Sequence, residues 1–127
     1  MSLTVRSTEK IPGVFILFPE GRLDSNTYSI LEKKIEYLLS VGQARDMTLD
    51  MAGVDYLSSM GVRVIFKAHK DLKQRGGSLS MMHLQPQIEK VFEIIKALPS
   101  MRIYNSIQEL DAYLTEMQNQ TVKNKPS

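Results

Sequence analysis

The chain contains no cysteine and no tryptophan, and only two histidines among its 127 residues. Without cysteine, disulfide bonds and thiolate metal sites are excluded. The two histidines, His69 and His83, are far apart and have no partners at ligand spacing. We therefore expect no metal and no cofactor.

Basic and acidic side chains are nearly equal in number, so the formal net charge is only +2 at pH 7. This value does not indicate nucleic-acid binding. No apolar run approaches the roughly 20 residues of a membrane helix, and the N-terminus lacks the charged-then-apolar pattern of a secretory signal. With 43% hydrophobic and 24% charged residues, the composition is that of a soluble globular protein. We expect a cytoplasmic monomer with no membrane and no nucleic-acid partner.

Apolar periodicity and turn residues predict the element order β-β-α-β-α-β-α-β-α. Strands are predicted at 4–9, 14–18, 47–51, 78–83 and 101–104, and helices at 25–41, 59–74, 86–98 and 106–118. Strands that alternate with helices favour an α/β fold with a mixed, mostly parallel sheet of four to five strands. The apolar stripes are one-sided, so the helices are expected mainly on one face. Residues 1–118 form one domain, and the polar tail 119–127 is predicted to be disordered.

The ends and faces of the helices can also be predicted. Ser25 is a candidate N-cap for the first helix, and Pro86 takes the favoured first position of the third. The second helix ends at Gly76-Gly77. The apolar stripe of the first helix comprises Tyr28, Leu31, Ile35, Leu38 and Leu39, and that of the second comprises Val62, Ile65, Phe66, His69 and Leu72.

Two adjacent serines, Ser58 and Ser59, lie between the central strand and the second helix. A hydroxyl at this position can accept a hydrogen bond from an unpaired N–H group of the first helical turn. On spacing alone, a pair of serines before a helix is more often a cap and its neighbour than a functional site.

The stretch from Val54 to Val64 reads V-D-Y-L-S-S-M-G-V-R-V. It resembles the signature of the STAS domain, specifically that of the single-domain anti-sigma factor antagonists. The family pattern is Asp-Ser-(Ser/Thr)-Gly-Leu-Gly, and its serine after the aspartate is the phosphorylation site. When the pattern is aligned on Gly61, Ser59 takes the phosphoserine position. Ser58 stands where the family has aspartate, and it is the alternative site.

A second short stretch, Gly21-Arg22-Leu23-Asp24, also resembles the family pattern. The resemblance implies that Asp24 lies near the phosphorylation site, at the same end of the sheet. A plainer interpretation makes Asp24 a helix-entry residue, because acidic side chains are favoured near a helix N-terminus. The two interpretations are compatible.

The resemblance also implies a function. The unphosphorylated protein would bind an anti-sigma factor, itself a serine kinase of GHKL type, and so free a sigma factor. Phosphorylation would end this binding, a separate serine phosphatase would reset it, and the protein itself would not be an enzyme. Gly61 would let the partner approach the helix backbone closely. The predicted partner-binding residues are Asp24, Ser58, Ser59, Met60, Gly61, Val62 and Arg63.

Two other functions remain open at the level of sequence. The chain could be an unphosphorylated STAS scaffold, or a subunit of a signalling or transport assembly. It could also bind a small molecule or act as an enzyme near Asp24 and Ser59, since ligands favour the carboxyl ends of strands in open α/β sheets. In a Ser-His-Asp arrangement, His69 would lie roughly 15 Å along its helix from the serines, whereas spacing alone does not exclude His83.

Overall fold

The fold is that of a computed structural model, which describes residues 2–94 and 102–104. The elements are β1 (Thr4–Ile11), β2 (Val14–Leu23), α1 (Tyr28–Ser40), β3 (Asp46–Asp50), β4 (Gly53–Leu57), α2 (Ser59–Gln74), β5 (Ser78–Met82), α3 (Pro86–Ile94) and β6 (Arg102–Tyr104). The predicted helix 106–118, the tail 119–127 and the part of the predicted helix 86–98 after residue 94 lie outside the described residues.

The strands form a mixed, mostly parallel sheet in the order β1-β2-β3-β5-β6. Strands β1 and β2 are an antiparallel hairpin, and Gly13 at its turn has a φ of +82°, which glycine adopts without steric cost. The remaining pairs are parallel. This confirms the predicted fold class.

Strand β2 is long enough to pair with two strands along the same edge. Its first half pairs with β3, with Leu17 opposite Leu49, and its second half pairs with β4, with Leu23 opposite Leu57. Strand β4 therefore carries the chain beyond the end of β3, and it brings the two serines to the end of β2.

The main core lies between one face of the sheet and the apolar stripes of the helices. Alternate strand residues such as Leu17, Leu49 and Met81 are buried in it together with helical residues such as Leu31 and Ile65. Burial of this apolar surface is the main favourable contribution to folding. Four of the five residues in the predicted stripe of α1 are buried, and Tyr28 packs against the core from its edge.

The structure corrects several sequence predictions. The sequence prediction has no element between residues 51 and 59, where the structure has β4. Only Val54 and Leu57 of its five residues are buried, so the strand lacks the regular alternation that indicates one. The structure also extends β2 to Leu23, past the predicted end at residue 18. On α2, Phe66 is 38% exposed, because the buried face of that helix is formed by Val64, Ile65, Ala68 and Leu72 together with Gly61.

Candidate functional site

The candidate site lies where β2 and β4 end side by side. Leu23 and Leu57 are paired in register, and the N–H of Ser58 donates to the carbonyl of Leu23 at 2.8 Å. Because the two strands are parallel, Asp24 and Ser58 leave the sheet at the same edge. The structure therefore brings together the two short stretches that carry the family resemblance.

The two serines have different environments. Ser58 is the N-cap of α2, and its Oγ accepts a hydrogen bond of 3.4 Å from the N–H of Gly61. Its side chain is partly buried, whereas Ser59, the first residue of α2, is exposed. The hydroxyl of Ser59 thus faces solvent at the positive end of the helix dipole, while that of Ser58 stabilises the first turn.

Gly61 lies beneath the serines, against the ends of the two strands. A Cβ atom at this position would lie 2.7 Å from Cδ1 of Leu57 and 2.8 Å from Cγ of Leu23, which is closer than real Cβ contacts allow. Gly61 is also buried. The glycine therefore allows α2 to pack on the sheet, and the expected close approach of a partner does not account for it.

Asp24 organises the entry to α1. Its Oδ1 accepts hydrogen bonds from the N–H groups of Asn26 and Thr27 at 2.9 and 3.1 Å, and its own N–H donates to Oγ1 of Thr27 at 2.9 Å. This confirms the helix-entry interpretation. The prediction that Ser25 caps the helix is wrong, because the reciprocal pair of Asp24 and Thr27 satisfies the first N–H groups of this turn.

The same contacts set the charge of Asp24. The N–H of Asn26 is the main cause that lowers the pKa of this carboxyl below its ordinary value. Burial opposes this effect, and the hydrogen bonds of Thr27 and the charge of Arg22 lower the pKa further. Asp24 is therefore ionised at neutral pH and presents a fixed negative charge beside Ser58.

An arginine and a tyrosine beside the serines were not predicted as site residues. The guanidinium of Arg22 lies over the ring of Tyr56, 4.0 Å from its centroid, and its Nε is 3.6 Å from Oδ2 of Asp24. Tyr56 is nevertheless 42% exposed. Recognising this stack required the register of β2 with β4, in which Arg22 is opposite Tyr56, and β4 was not predicted.

The remaining predicted partner residues lie along the first turns of α2. Met60 and Arg63 line a groove between α1 and α2, whereas Val62 is half-buried and packs against the core. Arg63 is exposed. Of the seven predicted residues, Ser59 and Arg63 are thus the most accessible.

Neither histidine lies at the serines. Nδ1 of His83 is 3.1 Å from Oδ1 of Asp50, which is the residue after Leu49, the partner of Leu17 in β2. This is roughly 16 Å along the sheet from Leu23 at the usual strand rise, so a catalytic arrangement of Ser59 with His83 is excluded. His69 is half-buried on α2, and burial, with a smaller effect of Lys73, lowers its pKa.

Within residues 2–94 and 102–104, no cluster of three or more His, Cys, Asp or Glu side chains could hold a metal ion. None of the described helices is long and apolar enough to span a membrane.

The parallel strands β2 and β4 of the mixed sheet bring an exposed serine to the start of a helix. These features define the class of the protein as a small α/β domain with its candidate site at that helix N-terminus. The chain belongs to the STAS family, since the sequence model of the STAS domain matches residues 6–110.

Two curated relatives are similar over most of their length. The chain is 34% identical over 106 residues to BtrV of Bordetella bronchiseptica, which is named as a candidate anti-sigma factor antagonist; the match covers 84% of this chain and 88% of BtrV. It is 24% identical over 106 residues to the anti-sigma F factor antagonist of Paenibacillus polymyxa, with the same coverage of 84% and 88%.

Solved structures of the anti-sigma factor antagonist SpoIIAA of Bacillus share the fold. The unphosphorylated form superposes with a TM-score of 0.76 at 16% identity, covering 88% of this chain and 97% of SpoIIAA. The phosphorylated form gives a TM-score of 0.70 at 16% identity, covering 87% of this chain and 99% of SpoIIAA.

Proposed function

We propose that the chain is a cytoplasmic anti-sigma factor antagonist that is switched by phosphorylation of Ser59. The unphosphorylated form binds an anti-sigma factor and frees a sigma factor. The anti-sigma factor is a serine kinase of GHKL type that modifies Ser59, and a serine phosphatase reverses the modification. The chain is a substrate and a binding partner in this cycle and catalyses no step of it.

The observation that carries the proposal is the difference between the two serines. Ser59 is exposed at the first position of α2, where a kinase can reach its hydroxyl. Ser58 is partly buried and its Oγ is engaged with the N–H of Gly61. Modification of Ser58 would require its Oγ to leave the N–H of Gly61, whereas phosphorylation of Ser59 leaves that hydrogen bond intact.

The fold can accept the phosphate without rearrangement. A negative group at the N-terminus of α2 is stabilised by the helix dipole and by the unpaired N–H groups of the first turn. The phosphorylated SpoIIAA structure has this same fold. A binding surface that includes Ser59 can therefore change its charge while the domain stays folded.

The added charge is sufficient to end binding. A phosphate brings about −1.5 to −2 charges at pH 7, and an unpaired charge enclosed in an interface costs several kcal/mol. Every ~1.4 kcal/mol lost weakens an affinity tenfold. A complex that buries Ser59 would thus lose several orders of magnitude in affinity on phosphorylation.

Intact-mass analysis after incubation with ATP and lysate of the native host tests the switch. We expect one added phosphate on the wild type and on Ser58→Ala, and none on Ser59→Ala. If Ser58→Ala gains no phosphate while Ser59→Ala does, the modified residue is Ser58. If the wild type gains no phosphate while a known substrate in the same lysate is modified, the chain is an unphosphorylated STAS scaffold.

A further inference from the structure

A groove runs between the first turns of α1 and α2, directly beside Ser59. Its volume is about 290 Å³, and its lining residues are Tyr28, Glu32, Met60, Arg63, Val64 and Lys67. Tyr28 and Met60 are half-buried and Val64 is 5% exposed, and these three residues supply the apolar part of the lining. Glu32 stands on the α1 side, and the two cations stand on the α2 side.

The exposed face of α2 that continues from this groove is strongly basic. Its cations are Arg63, Lys67, Lys70 and Lys73, and all four are exposed. Asp71 is the only acidic residue of α2, and it forms an ion pair of 3.4 Å with Lys67. Arg63 has no hydrogen bond or ion pair to any other residue that the structure describes. Phe66 lies among these cations with 38% of its surface exposed.

We propose that this groove and the basic face of α2 bind an acidic segment of the anti-sigma factor, which inserts one apolar side chain between Tyr28 and Met60. The inference rests on the proposed function and specifies the chemistry of the partner. The charge of the face selects an acidic partner, because complementary potentials favour encounter and fix register. The groove adjoins Ser59 through Met60, so a partner that covers the serine also covers the groove.

The shape and composition of the groove favour a side chain over a free small molecule. Pockets for small molecules usually enclose about 300–1,000 Å³ behind mostly apolar walls. The volume of this groove is just below that range, and three of its six lining residues are charged. Methionine adapts to different apolar partners, and arginine is among the residue types that most often dominate binding energy.

An acidic partner also explains why a phosphate on Ser59 acts against binding. The phosphate would stand one residue before Met60 and repel carboxylates in the groove. It would also stand one helical turn from Arg63, since residues four apart share a helix face. The phosphate would then compete with the partner for the guanidinium of Arg63.

The test measures the affinity of unphosphorylated variants by calorimetry. The probe is the anti-sigma factor that co-purifies with the wild-type chain from its host, expressed and purified by itself. The groove variant is Arg63→Glu/Lys67→Glu. Its matched control is Lys33→Glu/Lys34→Glu, which changes the net charge equally but lies about 100° or more around α1 from Glu32 and Tyr28 at 100° per residue.

We expect the groove variant to bind at least about tenfold more weakly and the control within about threefold of the wild type. Glu32→Lys removes the one acidic residue of the groove and should tighten binding several-fold. Circular dichroism confirms that each variant is folded.

If the groove variant binds as tightly as the wild type, this inference is wrong while the proposed function stands. Equal weakening by both double variants would show a long-range charge effect and would also overturn it. Sedimentation tests a further occupant. If the wild type dimerises and the groove variant does not, the groove binds a second copy of the chain and not the anti-sigma factor. If the wild type binds no anti-sigma factor, both proposals fail together.

Discussion

The backbone N–H of Ser58 donates a 2.8 Å hydrogen bond to the carbonyl of Leu23. This single bond joins the end of β2 to the start of α2, two segments separated by α1, β3 and β4 in the chain. It holds Asp24, which follows Leu23, beside the residue that caps the serine-bearing helix. The geometry of the site is therefore fixed by the sheet and does not depend on a long loop.

The packing beneath this bond predicts that Gly61→Ala destabilises the domain. The new methyl group would lie 2.7–2.8 Å from Leu57 and Leu23, so α2 or these side chains must shift. Overpacking of a tight core typically costs about 1–3 kcal/mol. Urea denaturation measures the loss, and Ser59→Ala, exposed and two residues away, is the control with an expected change within about 0.5 kcal/mol. Equal stabilities of the two variants would contradict the close packing.

The cap at Ser58 predicts a second stability difference. Ser58→Ala removes the acceptor for the N–H of Gly61 and should cost about 0.5–2 kcal/mol, as N-cap deletions do. The long 3.4 Å hydrogen bond favours the lower end of this range. Ser58→Asp keeps an acceptor at the cap and should retain most of the stability in thermal unfolding. If Ser58→Asp were as unstable as Ser58→Ala, the side chain would not be acting as a cap.

The stack of Arg22 on Tyr56 predicts an energetic coupling between these two residues. A cation over an aromatic ring at an exposed site contributes about 0.5–1 kcal/mol. A double-mutant cycle of Arg22→Ala and Tyr56→Ala in urea denaturation should return a coupling of this size. Tyr56→Phe retains the aromatic face and should preserve the coupling with Arg22. Strictly additive single substitutions would show that the stack contributes nothing in solution.

Much of this molecule could be predicted from its sequence, because its helices have strong one-sided apolar stripes and clear stop signals. Gly76-Gly77 and Pro86 marked a helix end and a helix start correctly. Strand β4 was missed because a short edge segment with two buried residues carries little periodicity. The stack of Arg22 on Tyr56 and the groove beside Met60 depend on how elements pair and pack, which local patterns do not encode.

Asp24 predicts how the stability of the domain changes in acid. Hydrogen bonds to its carboxylate hold the folded-state pKa below the ordinary value of 3.8, so the unfolded chain binds the proton more readily. Where the unfolded state binds more protons, stability rises with pH. The contribution of Asp24 is therefore complete above about pH 4–5 and is lost as the pH falls through the lowered pKa.

The variant Asp24→Asn isolates this effect, because an amide oxygen can still accept from the N–H groups of Asn26 and Thr27 but does not titrate. Wild type should be the more stable of the two at pH 6, and the difference between their urea midpoints should shrink steadily from pH 5 to pH 3. Asp71→Asn, which removes a half-buried carboxylate on α2 that pairs with Lys67, is the control. A difference between wild type and Asp24→Asn that stays constant across this range would show that the charge of Asp24 does not stabilise the site.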